Sequence, residues 1–329
     1  MFEPLGTPLF LADARKNAKW RSPVVEILIF LLVYLIAQSA ERVLVFPYLL
    51  FKMLSDPAFY EVTMSENANA AMAYTEKMIN EILPNDPVYY LVMLFSTVAL
   101  IAAAIVYCKC FEKRSFFSMG LSKSAIRSYP VGILVGLLLF AVSVGFSAAF
   151  GAVKVEGLAA DFSLPVALAF LVGFAVQGFA EELFCRGYLM VTLGKGLPLP
   201  FAIITGAFAF MGLHGANPGT SFLAFLNLFL FGVFMSLYMI RTGNLLGAAA
   251  IHTVWNFAEG VLTSFPVSGM PLPSSVLSVT LNPDKAWIHG GAFGPEGGIA
   301  VTFVLVLGIA ILGMMKSKNT AAQDTSGQT

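Results

Sequence analysis

Glu181 and Glu182 are adjacent in the run FAEELFCRG (179–187), and Arg186 follows Glu182 by four residues. Residues four apart on a helix share a face, so Glu182 and Arg186 are spaced to pair, while Glu181 points about 100° away. One carboxylate is then neutralised and its neighbour is left to face a cavity as a general base. Two further runs, FAFMGLHGAN (208–217) and IHTVWNFAEG (251–260), supply Phe210, His214, His252 and Asn256. His252 and Asn256 again share a helix face, with Glu259 about one turn further on. A carboxylate, two imidazoles and an amide suffice for water activation and oxyanion stabilisation: Glu181 with His214 to deprotonate a water, His252 and Asn256 to donate hydrogen bonds to a tetrahedral oxyanion. The same residues allow a second chemistry, in which Glu181, His214 and His252 hold zinc with water in an open position. No HExxH run accompanies them, so a site without a cofactor is the first reading and zinc the second. A nucleophilic Cys185 ranks last, because it lies between Glu182 and Arg186 and faces another direction.

The elements that must position these groups are apolar. Of 329 residues, 58% are apolar and 12% charged, against about a quarter charged in soluble globular proteins. Apolar runs of spanning length fall at 24–40, 87–108, 130–150, 164–184, 197–214, 222–240, 243–263 and 298–315. Each is suited to a hydrocarbon core about 30 Å thick. The fold class is therefore all-α, a polytopic membrane protein of about eight transmembrane helices around an intramembrane catalytic cavity. Ionisable groups at the centre of a span cost about 2.5–3.5 kcal/mol each, so their default reading is functional. A lone ion pair ending a helix, or a lone hydrogen-bonded histidine, is an ordinary structural feature. Two histidines and a Glu-Glu pair on three spans are not. Asn227 reads as an interhelical hydrogen bond, His289 as structural, and Glu26 as a side chain that snorkels from a span end.

Orientation follows from the basic residues flanking the spans. Fourteen of the 19 lie on one side: Arg15, Lys16, Lys19 and Arg21; Lys109, Lys113, Arg114, Lys123 and Arg127; Arg186 and Lys195; Arg241; Lys316 and Lys318. The other side holds Arg42, Lys52, Lys77, Lys154 and Lys285, and is acidic between Asp56 and Asp86. Both termini are expected in the cytoplasm, with the chain in the plasma (inner) membrane and no cleaved signal peptide. The organisation reads as a cytoplasmic segment (1–23), three spans with a long outer loop at about 41–86 (24–163), a core (164–263), an outer loop and last span (264–315) and a disordered tail (316–329). Within the outer loop, 43–54 reads as a short interfacial segment and 66–83 as an amphipathic helix. Cys108, Cys110 and Cys185 form no disulfide framework. No phosphate-binding Gly-rich loop and no basic patch for nucleic acid is present, and no feature dictates an oligomeric state.

The ordered triple EELFCR, FMGLH and HTVWN resembles the three motifs of the CPBP family, the CAAX-protease and bacteriocin-processing membrane proteases, which read E-E-x-x-x-R, F-x-x-x-H and H-x-x-x-N/D. The likeness covers about 164–262 and extends to EKRSFFSMGLSK (112–123). It implies an intramembrane endopeptidase with a conical cavity open to the cytoplasmic side. It also implies Glu181 and His214 as water activators, His252 and Asn256 as oxyanion donors, and Glu182, Arg186 and Phe210 as supporting residues. The expected partners are a peptide or lipidated-peptide substrate and membrane lipid. The alternative is a non-catalytic bacteriocin-immunity or scaffold protein of the same fold. A proton-relaying transporter is a third class, and the internal symmetry it calls for is not visible.

Overall fold

The computed structural model describes residues 3–17, 21–65, 67–122, 125–160 and 162–317. The expectations for Lys19, Glu66, Lys123 and the tail beyond 317 lie outside these residues. The chain forms α1 (Leu9–Asn17), α2 (Pro23–Leu54), α3 (Pro57–Met64), α4 (Ala68–Lys77), α5 (Pro87–Phe111), α6 (Tyr129–Ala149), α7 (Leu164–Gly194), α8 (Leu199–Leu213), α9 (Phe222–Thr242), α10 (Leu245–Leu262) and α11 (Ile299–Met314). Polar side chains before the apolar runs set several helix starts by accepting from free backbone N–H groups. Ser22 caps α2, Asp86 caps α5, Ser221 caps α9 and Asn244 caps α10. Proline follows at the first helical position of α2 and α5, where its missing N–H costs nothing.

Among the described residues, six helices are long and apolar enough to cross a membrane: α2, α5, the stretch Ile126–Ala149 that contains α6, α7, α9 and α10. The other two predicted spans, α8 and α11, are apolar but shorter. An antiparallel two-stranded ribbon pairs β1 (Val153–Leu158) with β2 (Leu277–Leu281), with Val153 opposite Leu281 and a bulge after Val155. The centre of the bundle is α10, buried from Leu245 to Asn256 between α6 and α7. Missing side chains permit that approach. A Cβ on Gly132 would lie 2.3 Å from the Gly247 carbonyl oxygen, and one on Gly178 would lie 2.9 Å from the Thr253 nitrogen. Close backbone contact through small residues is the usual packing device of membrane helices.

Three expectations are corrected. First, α2 does not stop near residue 40 with an interfacial segment after it. It runs unbroken for 32 residues to Leu54, through Pro47. The polar stretch Gln38–Arg42 looked like a span end because it faces a cavity. Second, α7 does not end near 184. It continues to Gly194, through a π-helical stretch at Leu183–Met190, with Glu182 and Arg186 paired inside the bundle rather than at its surface. Arg186 thus leaves the count of flanking basic residues. Third, Glu26 does not snorkel. It is buried, with Arg21 at 3.7 Å. Asn227 fits its structural reading: it accepts from Thr302 on α11 and donates to the carbonyls of Glu296 and Gly298. His289 is likewise buried against the Asn282 carbonyl.

The ends of the helices gather into two layers. In one, Arg15 donates to the Gly194 carbonyl, Arg114 to the Gly187 carbonyl, and Arg241 to the carbonyls of Glu3 and Leu312. Lys195 pairs with Glu112 there, and the Leu245 N–H donates to the Gly120 carbonyl. In the other layer, Lys52 pairs with Asp86 at 2.6 Å, the ribbon forms, and Tyr90 packs with Phe170, Phe174 and Val267.

Candidate active site

Three helices deliver the motif residues to one place. Leu245, near the start of α10, lies level with Gly187 of α7: a Cβ on that glycine would touch the Leu245 side chain at 3.6 Å. Six residues back along α7 is Glu181, and seven forward along α10 is His252. At 1.5 Å per residue both stand about 10 Å deeper in the bundle. α8 has only 15 residues, so it rises about 22 Å and stops short of a full crossing. Its end puts His214 at the depth of Glu181. A simple up-and-down reading sends His214 to the far surface; the shortness of α8 and the extension of α7 together bring it back.

The two adjacent carboxylates have different surroundings. The Glu182 side chain is 0% exposed, and its Oε1 accepts from Arg186 Nη1 at 2.9 Å and from His252 Nδ1 at 2.9 Å. Glu181 is 16% exposed and opens on a cavity. Its Oε1 accepts from Gln177 Nε2 at 2.7 Å. Its Oε2 lies 3.7 Å from His214 Nε2 and 3.8 Å from His252 Nε2. His214 donates its Nδ1–H to the Phe210 carbonyl at 2.9 Å. Both imidazoles are therefore pinned at Nδ1 and present Nε2 to the same carboxylate oxygen. Phe210 supports all of them. The Arg186 guanidinium sits 4.5 Å over its ring, and the rings of His214 and His252 lie 4.6 and 6.0 Å from it.

Gln177 is the residue sequence reasoning passed over. A carboxylate only accepts, so the Gln177 amide nitrogen faces Glu181 and its oxygen accepts from Asn256 Nδ2 at 2.9 Å. One side chain thus ties the carboxylate to the amide. The signal was present: a glutamine in an apolar span, one turn before Glu181. The second N–H of Asn256 is not used by Gln177, and Asn256 lines the cavity.

The cavity holds about 510 Å³. Glu181, His214, His252 and Asn256 line its inner part. Gln38, Glu41 and Arg42 of α2 form one wall, and Tyr89, Tyr90, Met270 and Leu272 lie towards the layer that contains the ribbon. Glu296, whose carboxylate accepts from Ser268, also lines it. Cys185 is buried away from the cavity. Among the described residues, no group of three or more His, Cys, Asp or Glu side chains is arranged to hold a metal ion. Glu181, His214 and His252, the trio expected for zinc, come together but do not close into a ligand set.

The cavity lies towards the layer opposite the one holding residues 3–17 and 312–317. A cavity open to the cytoplasm and cytoplasmic termini, both expected from the sequence, are therefore mutually exclusive in this fold. Residues 163–258 match the family model described as Type II CAAX prenyl endopeptidase Rce1-like. That stretch contains Glu181, Glu182, Arg186, Phe210, His214, His252 and Asn256, so the family resemblance carried by the three motifs is borne out. No curated protein matches the chain.

Proposed function

We propose that the chain is an intramembrane endopeptidase that hydrolyses a peptide bond of a membrane-associated peptide or lipidated tail, using water activated by Glu181 and His214. The observation that carries this reading is the division of labour between the two carboxylates. Glu182 is consumed by Arg186 and His252, whereas Glu181 opens on the cavity with two imidazole nitrogens facing its free oxygen. In the proposed reaction, Glu181 Oε2 takes a proton from a water oriented by His214, and the water oxygen attacks the scissile carbonyl carbon. The carbonyl π electrons move to oxygen, and the oxyanion accepts a hydrogen bond from Asn256 Nδ2. His252 adds a second from Nε2, which requires a doubly protonated ring because Nδ1–H is already given to Glu182; the Glu182 carboxylate supplies the counter-charge. Glu181 then passes its proton to the departing amine as the C–N bond breaks, and the carboxylate is restored.

Comparative peptidomics of membranes carrying wild type or Glu181→Gln tests this. Fragments produced by the wild type should vanish with the variant while its membrane yield is unchanged. Identical fragment patterns would remove Glu181 from the base role, and fragments from neither protein would favour the non-catalytic scaffold. Strong chelation is expected to leave the activity intact. Loss on chelation with recovery on adding zinc would instead make Glu181, His214 and His252 metal ligands.

A further inference from the structure

From the position of the cavity relative to the charge of the two layers, we infer that the site is served from the extracytoplasmic side, and that its substrate is a polypeptide segment exported to, or exposed on, the outer face. The inference rests on the protease reading for what happens to that segment, but not for the side from which it arrives.

The cavity is closed towards the layer that holds residues 3–17 and 312–317. Directly behind Glu181 come Glu182, Phe184, Cys185, Arg186 and Tyr188, none more than 1% exposed. Phe184 and Tyr188 pack on Phe30 of α2 with ring centres 4.8 and 5.7 Å away. Beyond them lies the lattice of Arg114, Glu112, Lys195 and Thr192. Among the described residues, the cavity lining does not extend from Glu181 to that surface. In the other direction the lining continues through Asn217, Tyr89 and Met270 to the layer of the ribbon and α3–α4.

The closed layer is the basic one. Arg15, Lys16, Arg114, Arg127, Lys195 and Arg241 belong to it, and basic residues flanking spans are retained in the cytoplasm. The open layer, ribbon included, carries Asp56, Glu61, Glu76, Glu81, Asp86, Glu156 and Asp284 against Lys52, Lys77, Lys154 and Lys285. Charge therefore assigns the closed layer to the cytoplasm and the cavity mouth to the outside. A lipidated tail in the cytoplasm has no route to Glu181, whereas a peptide on the outer face meets the mouth directly.

Thiol labelling in intact cells tests the side without any need for activity. The native Cys110, exposed on the closed layer, and an introduced Lys16→Cys should react with a membrane-impermeant maleimide only after permeabilisation. With Cys110 replaced by serine, Met270→Cys at the mouth and Lys77→Cys on α4 should react in intact cells as fully as in permeabilised ones. The reverse pattern would overturn the inference whether or not the protein is a protease. In the same cells, fragments lost with Glu181→Gln should come from exported or outward-facing segments; fragments from cytoplasmic tails alone would also overturn it. Expected labelling with no Glu181-dependent fragments would count against the protease reading and leave the side of access supported.

Discussion

Gln177 bears no charge, yet it fixes two charge-handling groups at once. Its amide donates to Glu181 and accepts from Asn256, so the proposed base and the proposed oxyanion donor keep their separation through one side chain. Gln177→Met preserves length and apolar contact and removes both hydrogen bonds. It should lower kcat about 10–100-fold, the scale of losing two hydrogen bonds worth about 0.5–1.5 kcal/mol each, with KM and membrane yield little changed. An equal rise in KM would mean that Gln177 contacts substrate instead. Asn256→Ala removes the donor itself and should cost about 10²–10³ in kcat. If the two losses were merely additive in the double variant, Gln177 would not act through Asn256, since residues of one network are expected to couple.

At the scale of helices, the motifs were legible and the boundaries were not. EELFCR, FMGLH and HTVWN named the residues that meet because their polarity is costly in lipid wherever they sit. The ends of α2 and α7 were misread for the same reason: Gln38–Arg42 and Glu181–Arg186 look like span ends until a cavity and an internal ion pair account for them. Gln177 lacked a charge, and its role appears only once α7 and α10 are seen side by side. That approach depends on Gly178, where a Cβ would meet Thr253 Oγ1 at 3.0 Å as well as the Thr253 nitrogen. Gly178→Val should force α7 from α10 at a cost of about 1–3 kcal/mol and separate Glu182 from His252. A lowered melting midpoint in detergent, together with loss of activity, is expected. An unchanged midpoint would show that the two helices yield to the extra volume.

At the scale of the molecule, each layer is clamped by one buried carboxylate. Glu112, just past the end of α5, is pulled upward by burial, but the charges of Arg114 and Lys195 outweigh this and hold its pKa below the ordinary 4.5. Asp86, just before α5, is likewise raised by burial and lowered further by hydrogen bonds from Lys52, Tyr48 and the Tyr89 backbone, ending below its ordinary 3.8. A carboxylate whose folded value is depressed contributes stability that is complete above its unfolded value and is lost as pH falls through the folded one. Acid should therefore loosen both ends of α5 together, beginning as pH drops below about 4.5 and continuing past 3.8. The melting midpoint of the detergent-solubilised protein, steady near neutral pH, should fall across that range. Asp86→Asn separates the two clamps: asparagine caps a helix as well as aspartate does, but it cannot titrate, and it leaves Lys52 without a charged partner. This variant should melt lower at neutral pH and lose less on acidification, while the Glu112 share of the decline persists. A wild-type midpoint that stayed flat or rose between pH 5 and 3 would mean that neither carboxylate holds the layers shut.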